Sequence, residues 1–389
     1  MRKPILAMMC AASVAGAGFA AESEGRIPAR GLALDKPGSD FRVVDFTRDP
    51  LGEKDVLIEI DYCGICHSDI HSALNEHAAP GSKPLFPIIP GHEIVGHVTQ
   101  VGSKVGKFKV GDFAGVGCFV DSCGECPECE RGLEQFCERR DPVPNLLKDG
   151  RNFRGGYSDQ IVVPERNAIR IPPGADLAKV PPLLCAGVTV WSPIRFSKVK
   201  KGDVVGVAGF GGLGHMAVKY LVDLGARTTV FDVSEEKRAD AFRMGAERFV
   251  DVSKPDAMQG LADSFNFIVS TIPSDYKVVD YMKLLKYDKG ELAVVGLPPT
   301  ARIGVLELCA APHRKLYASI VGGIAEHQEC MDYSVAKGIC PETVVIPATP
   351  EALKEAYRNV IDGKVKFRYV IDMKTLPGRT SGEARPADF

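Results

Sequence analysis

The stretch Val204–Leu224, VVGVAGFGGLGHMAVKYLVDL, carries the reading that decides the fold. Val204 to Ala208 is a short apolar run that reads as a strand buried on both faces of a parallel sheet. Gly209-Phe210-Gly211-Gly212-Leu213-Gly214 follows as G-x-G-x-x-G, and Leu213, Ala217, Tyr220, Leu221 and Leu224 then recur at helical spacing. Glycines in such a turn let backbone N–H groups approach a pyrophosphate, and the helix N-terminus adds a favourable dipole. Glycine-rich turns are common on their own. Here the strand before, the helix after and Asp232 at the end of the next strand all stand where a dinucleotide site needs them.

Outward from that unit the texture continues. Thr228–Phe231 reads as a strand, Glu235–Met244 as a helix, Phe249–Val252 as a strand, and Phe265–Thr271 and Leu292–Leu297 as two further buried strands. Alternation of this kind makes an α/β, doubly wound parallel sheet. Before Pro181 the pattern differs. Asp55–Tyr62 and Glu93–Val101 read as strands, and Gly and Pro punctuate the chain heavily, which implies a mainly β domain. A chain of 389 residues suits two such domains. Its net charge of -2 gives no electrostatic case for nucleic acid or an anionic membrane as partner.

Four of the twelve cysteines crowd together as C-x2-C-x2-C-x7-C: Cys123, Cys126, Cys129 and Cys137. Four thiolates at such spacing close a tetrahedron around zinc with no position left open, the mark of a structural site. Cys63-Gly64-Ile65-Cys66-His67-Ser68-Asp69-Ile70-His71 packs thiol, imidazole, hydroxyl and carboxylate into one short run. Its C-x2-C could equally be a redox pair, although no thioredoxin-like unit surrounds it. His92 in Gly91-His92-Glu93 reads by itself as an ordinary polar residue, and Cys185 as a buried core thiol. Spacing alone does not show that Cys66, His92 and Cys185 converge.

Asp232 can accept hydrogen bonds from both ribose hydroxyls and would repel a 2′-phosphate, which favours NAD over NADP. Ser234, Lys237 and Arg238 could instead receive that phosphate, or Lys237 and Arg238 could form a solvated helix face. At the N-terminus, Arg2 and Lys3 precede a mostly apolar run from Ile5 to Phe19, and Gly18 and Ala20 stand before Ala21. This matches a secretory signal peptide and is short for a membrane span; a misassigned start or a flexible leader is the alternative. Export would make the protein periplasmic or secreted. Against that, nicotinamide cofactors are cytoplasmic metabolites and free thiols are at risk in an oxidising compartment, so a cytoplasmic location stays open.

The chain resembles the zinc-containing medium-chain alcohol dehydrogenases, most closely their cinnamyl-alcohol-dehydrogenase-like branch. The matching pieces run in order from about Ile27 to Leu376: CGICHSDIH (Cys63–His71), PGHEIVGHVTQVG (Pro90–Gly102), the four-cysteine loop, GGYSD (Gly155–Asp159), PLLCAGVTVWSP (Pro182–Pro193), GFGGLGHMA (Gly209–Ala217) and VGGI (Val321–Ile324). The resemblance implies a GroES-like catalytic domain, 26–186 and 323–377, interrupted by a Rossmann domain, 187–322, with a leader over 1–25 and a loose tail over 378–389.

It also implies two zinc ions per chain. The catalytic one falls to Cys66, His92 and Cys185, with Glu93 beside them as an occasional ligand or a residue behind the ligands; three protein ligands leave the open position that catalysis needs. Asp69 would orient His92. Ser68 would take the alcohol proton and His71 would pass it to solvent. His67 would sit near the pyrophosphate, Thr189 and Leu213 at the nicotinamide, and Phe119 in the substrate pocket. Gly209, Gly211, Gly212, Gly214, Asp232 and Lys237 complete the cofactor candidates. The implied activity is hydride transfer between a primary alcohol or aldehyde and NAD(P), in a homodimer with no membrane segment in the mature chain. A zinc-free quinone or enone reductase on the same fold, and a dinucleotide-binding protein without turnover, are the rival readings. Two departures stand out: His77 replaces a tryptophan usual in the branch, and Asp232 replaces a small hydroxyl or other neutral residue.

Overall fold

The computed structural model describes residues 25–76, 86–143, 150–298, 300 and 303–379. The leader as far as residue 24, His77 and tail residues 380–389 lie outside the described residues.

Val204–Ala208 is an inner strand of a six-stranded sheet, with every adjacent pair parallel. The order is Arg248–Asp251, Arg227–Asp232, Val204–Ala208, Phe267–Ser270, Glu291–Val294 and Lys315–Ala318. Strand order therefore reverses between Val204–Ala208 and Phe267–Ser270, the crevice where doubly wound sheets bind dinucleotides. Val205, Val207 and Ala208 are fully buried, and helix Gly214–Asp223 packs Met216, Ala217, Tyr220 and Leu221 into the same half of the molecule.

The elements expected from sequence recur with shifted ends. Strand Phe267–Ser270 starts late because the Ser264 and Phe265 N–H groups turn to the Leu284 carbonyl. Glu291–Val294 stops early because Val295 and Gly296 both donate to the Ser270 carbonyl. The expected helix Glu235–Met244 opens as a 3-10 turn, Glu235–Lys237, before Arg238–Arg243. Asp232 tightens that turn by accepting from the Ser234 N–H and the Lys237 ammonium.

The other half is mainly β. Its seven-stranded sheet is organised on one long strand, Asp55–Ile65, which pairs with Ile94–Val101, Gln160–Pro164 and Arg368–Asp372. Thr343–Pro347 and Arg368–Asp372 return to this sheet after the parallel one is complete, so the dinucleotide unit is an insertion between two pieces of the β half. Val56, Ile58, Ile60, Ile94, Val98, Ala114 and Ile161 fill its core. Gly378 and Arg379, counted with the tail in sequence, are tied down: Arg379 pairs with Glu59 at 2.7 Å, and Arg30 donates to the Pro377 carbonyl at 3.0 Å. Among the described residues no helix is long and apolar enough to cross a membrane.

Candidate active site and metal centres

Strand Asp55–Ile65 delivers Cys66, which caps helix His67–Leu74. Asp69, in the first turn of that helix, is fully buried and makes three hydrogen bonds. One carboxylate oxygen accepts from the Cys66 N–H at 2.9 Å; the other accepts from the Gly91 N–H at 2.9 Å and from His92 Nδ1 at 2.8 Å. A proton on Nδ1 leaves the Nε2 lone pair free. That atom is buried with no hydrogen-bond partner.

Into the same space come Glu93 and Cys185. One ligand atom from each of Cys66, His92, Glu93 and Cys185 lies within 4.8 Å of all the others, and all four residues are buried. The two sulfurs are 3.9 Å apart. The hydrogen bond from Cys185 holds the Cys66 thiol well below its ordinary range, while Cys185 is pushed up, so one of the pair ionises first. Burial pushes the Glu93 carboxyl up to about 7, against the pull of Arg368. A side chain at Gly64 would collide with the Glu93 carboxylate, which explains the glycine two residues before Cys66. Two thiols and a correctly presented imidazole nitrogen fit a tetrahedral zinc with three protein ligands, the orphaned Glu93 oxygen standing beside them.

Around this cluster lie the proposed proton carriers. Ser68 Oγ is 3.8 Å from Cys66 Sγ. His71, one turn on, holds Glu76 Oε2 at 2.5 Å from its Nδ1, and the Glu76 side chain is 47% exposed, so this pair reaches solvent. His67 lies on the exposed side, its ring 5.5 Å from that of His71. Thr189 is buried in helix Ala186–Phe196, which starts from Cys185.

The glycine turn is shaped by its neighbours. Gly209 has φ +89°, a conformation that favours glycine, and a side chain at Gly214 would collide with the Gly209 carbonyl. Gly211 faces open space, room for a ligand to approach its backbone. Leu213 caps the helix. Asp232 pins the turn from below, accepting from the Phe210 N–H at 2.7 Å, and Lys237 sits 3.1 Å from both of its oxygens.

The second cluster is remote from the first in character. The sulfurs of Cys123, Cys126, Cys129 and Cys137 lie within 4.8 Å of one another on a loop whose only helices are Pro127–Glu130 and the 3-10 turn Glu134–Phe136. Backbone N–H groups, that of Glu125 foremost, draw the Cys123 thiol down to about 6. Four sulfurs with no fifth donor fit a closed tetrahedral site.

Two neighbours of the site, Arg368 and Glu76, were missed in the sequence. Arg368, from strand Arg368–Asp372, is 5% exposed, donates to Glu93, and stands 2.9 Å from where a Gly212 side chain would begin. It links the metal cluster to the glycine turn across hundreds of residues, and no local spacing announces it. Glu76 could have been found, because Asn75 ends the helix in a left-handed turn (φ 60°) that folds the next residue back on His71.

Two family models match the chain: the alcohol dehydrogenase GroES-like domain over residues 52–173 and the zinc-binding dehydrogenase domain over 212–336. The chain is 43% identical over 333 residues to NADP-dependent alcohol dehydrogenase C 1 of Mycolicibacterium smegmatis, covering 85% of this chain and 93% of that one. It is 43% identical over 341 residues to the aldehyde reductase YahK of Escherichia coli, with 86% and 95% covered. The structure of CAD from Helicobacter pylori complexed with NADP(H) superposes with a TM-score of 0.83 at 46% identity, covering 90% of this chain and 99% of that one. A cinnamyl alcohol dehydrogenase from Sorghum bicolor gives 0.84 at 33% identity, with 91% and 100% covered. On these matches over most of its length, the chain belongs to the zinc-containing medium-chain alcohol dehydrogenases, in their cinnamyl-alcohol-dehydrogenase-like branch.

Proposed function

We propose that the chain is a zinc-dependent oxidoreductase moving a hydride between a primary alcohol or its aldehyde and a nicotinamide dinucleotide. The observation that carries the reading is the meeting of Cys66, His92 and Cys185, far apart in sequence, around an unpartnered His92 Nε2. Zinc held by these three would supply Lewis acidity at one open position. Asp69 keeps His92 in the ligating tautomer. Ser68 takes the alcohol proton, and His71, held by Glu76, releases it to solvent. Arg368, beside Gly212, and His67 receive the pyrophosphate; Thr189 and Leu213 flank the nicotinamide, and Phe119 lines the substrate pocket. A second zinc on Cys123, Cys126, Cys129 and Cys137 is structural.

NAD is the preferred dinucleotide. Asp232 is 6% exposed, and moving Lys237 to a 2′-phosphate would leave that buried carboxylate without its cation, held only by the Phe210 and Ser234 N–H groups. Changing Asp232 to Ser should raise the NADP-to-NAD ratio of kcat/KM by at least about tenfold. The domain limits follow the resemblance: 26–186 with 323–377, and 187–322 inserted. The chain forms a homodimer through the outer strand Lys315–Ala318, near which Val305, Leu306, Leu316 and Ile320 stay exposed. If residues 1–25 act as a signal peptide the protein is exported, and if not it is cytoplasmic; N-terminal sequencing of the protein from its native host decides between the two.

Steady-state assays of the purified chain, with NAD and NADP across aliphatic and aromatic aldehydes, test the function. Turnover with two zinc ions per chain, abolished in C66A together with one of them, is expected. One zinc per chain and reduction of quinones or enones would support the zinc-free reductase. Dinucleotide binding without any turnover would support a non-catalytic protein.

A further inference from the structure

His327 has no part in the chemistry above, yet its helix reaches the four-cysteine loop and its ring the residue before Cys185. It lies one turn into helix Ile324–Lys337 and is 2% exposed. The helix starts on the four-cysteine loop: the Ile324 N–H donates to Glu134 Oε2 at 2.9 Å, and a side chain at Gly323 would collide with the Gly132 carbonyl. Glu134 stands three residues before Cys137.

One turn on, the imidazole faces the catalytic cluster. Its Nε2 is 3.2 Å from the carbonyl oxygen of Leu184, the residue before Cys185. Its ring meets Phe119 edge to face, 5.9 Å between centroids at 88°. Gly117 is a glycine for the same reason, since a side chain there would begin 2.8 Å from both Nε2 and the Leu184 oxygen. On the other side, Nδ1 is 2.8 Å from the Gly323 carbonyl.

Burial pushes this imidazole down and keeps it neutral, with a single N–H for two carbonyl oxygens. The Gly323 oxygen already accepts the backbone N–H of His327 at 2.9 Å. A ring proton on Nε2 bonds the Leu184 oxygen at 3.2 Å, and one on Nδ1 bonds the Gly323 oxygen at 2.8 Å.

We propose that His327 is a positioning residue for the catalytic ligand set: through the Leu184 carbonyl and the Phe119 ring it fixes the Cys185 arm and the adjoining wall of the substrate pocket, and its helix ties both to the loop of four thiols. The proposal rests on the functional reading given above for the roles of Cys185 and Phe119. It makes Glu134, His327 and Leu184 one mechanical link between a closed metal site and an open one.

Zinc release from the holoenzyme to a chromogenic chelator tests it, with the phase missing in C66A taken as the catalytic site. H327L removes the donor and keeps bulk, whereas H327Q places an amide N–H near the position of Nε2. Release of the catalytic zinc should be about tenfold faster in H327L, the size expected for one lost buried hydrogen bond, and close to wild type in H327Q. The aldehyde KM should rise in H327L more than kcat falls. Wild-type release and KM in H327L would overturn the proposal, as would equal acceleration of both zinc phases, which would mean general loosening. Should H327L not fold, H327N decides instead: its shorter amide cannot reach Leu184, so wild-type release from it overturns the proposal. If no variant or parent turns over any aldehyde, the functional reading fails while zinc release still tests the link.

Discussion

Asp69 shows how much one carboxylate can organise. With three donors bound and no solvent contact, it fixes the Cys66 backbone, the Gly91 backbone and the His92 ring at once. Replacing it by Asn keeps the shape but puts an amide N–H against one of those donors. D69N should therefore weaken zinc at the catalytic site about 10–100-fold, as loss of a ligand's outer partner typically does. Competition with a chelator of known affinity measures this; unchanged affinity would mean that His92 is held by something else. At this scale the sequence alone said little. His92 and Cys185 looked like ordinary residues, because three-dimensional convergence leaves no local trace, and only the family resemblance brought them to Cys66. Arg368 escaped even that.

Among the elements, the pairing of strand Ile94–Val101 with the long strand has a pH signature. His97 lies between Asp61 at 3.0 Å and Glu59 at 3.4 Å, and Arg379 pairs with Glu59 from the tail. Hydrogen bonds first to Asp61 and then to Glu59 raise the His97 imidazole to about 9. A folded value above the ordinary one means that the stabilisation is complete below about pH 6.5 and is lost as pH rises through 9. Thermal melts should accordingly show the wild type losing on the order of 1–2 kcal/mol more than H97Q between those limits. Parallel curves for the two proteins would refute it. Element types were legible where periodicity is strong, as in Val204–Ala208 and the helix after it. Element ends were not: Asp55–Ile65 runs three residues beyond the alternating pattern because Arg368–Asp372 arrives from the far end of the chain to pair with it.

For the whole molecule, the exposed apolar side chains around strand Lys315–Ala318 offer a surface for the proposed dimer. Inserting a charge at that rim, as in L316K, should convert the proposed dimer to monomers in sedimentation experiments while leaving zinc content intact. A dimer that survives the change would move the interface elsewhere. The change from a mainly β half to a parallel-sheet half was legible from texture, since glycine and proline crowd one region and strand–helix alternation fills the other; that the second interrupts the first came only from the family resemblance. How the halves meet was not, because the meeting depends on Arg368 beside Gly212 and on the Phe367 ring stacked 4.7 Å from that of His215.

The long strand Asp55–Ile65 is laddered along both edges and ends beside Cys66, a proposed zinc ligand. Under deuterium labelling its amides should exchange last, while outlying strands such as Thr343–Pro347 and Arg248–Asp251 take up label early. The periphery can then breathe on short timescales without Cys66 ever leaving its place, so transient opening of the dinucleotide crevice need not spill the ion.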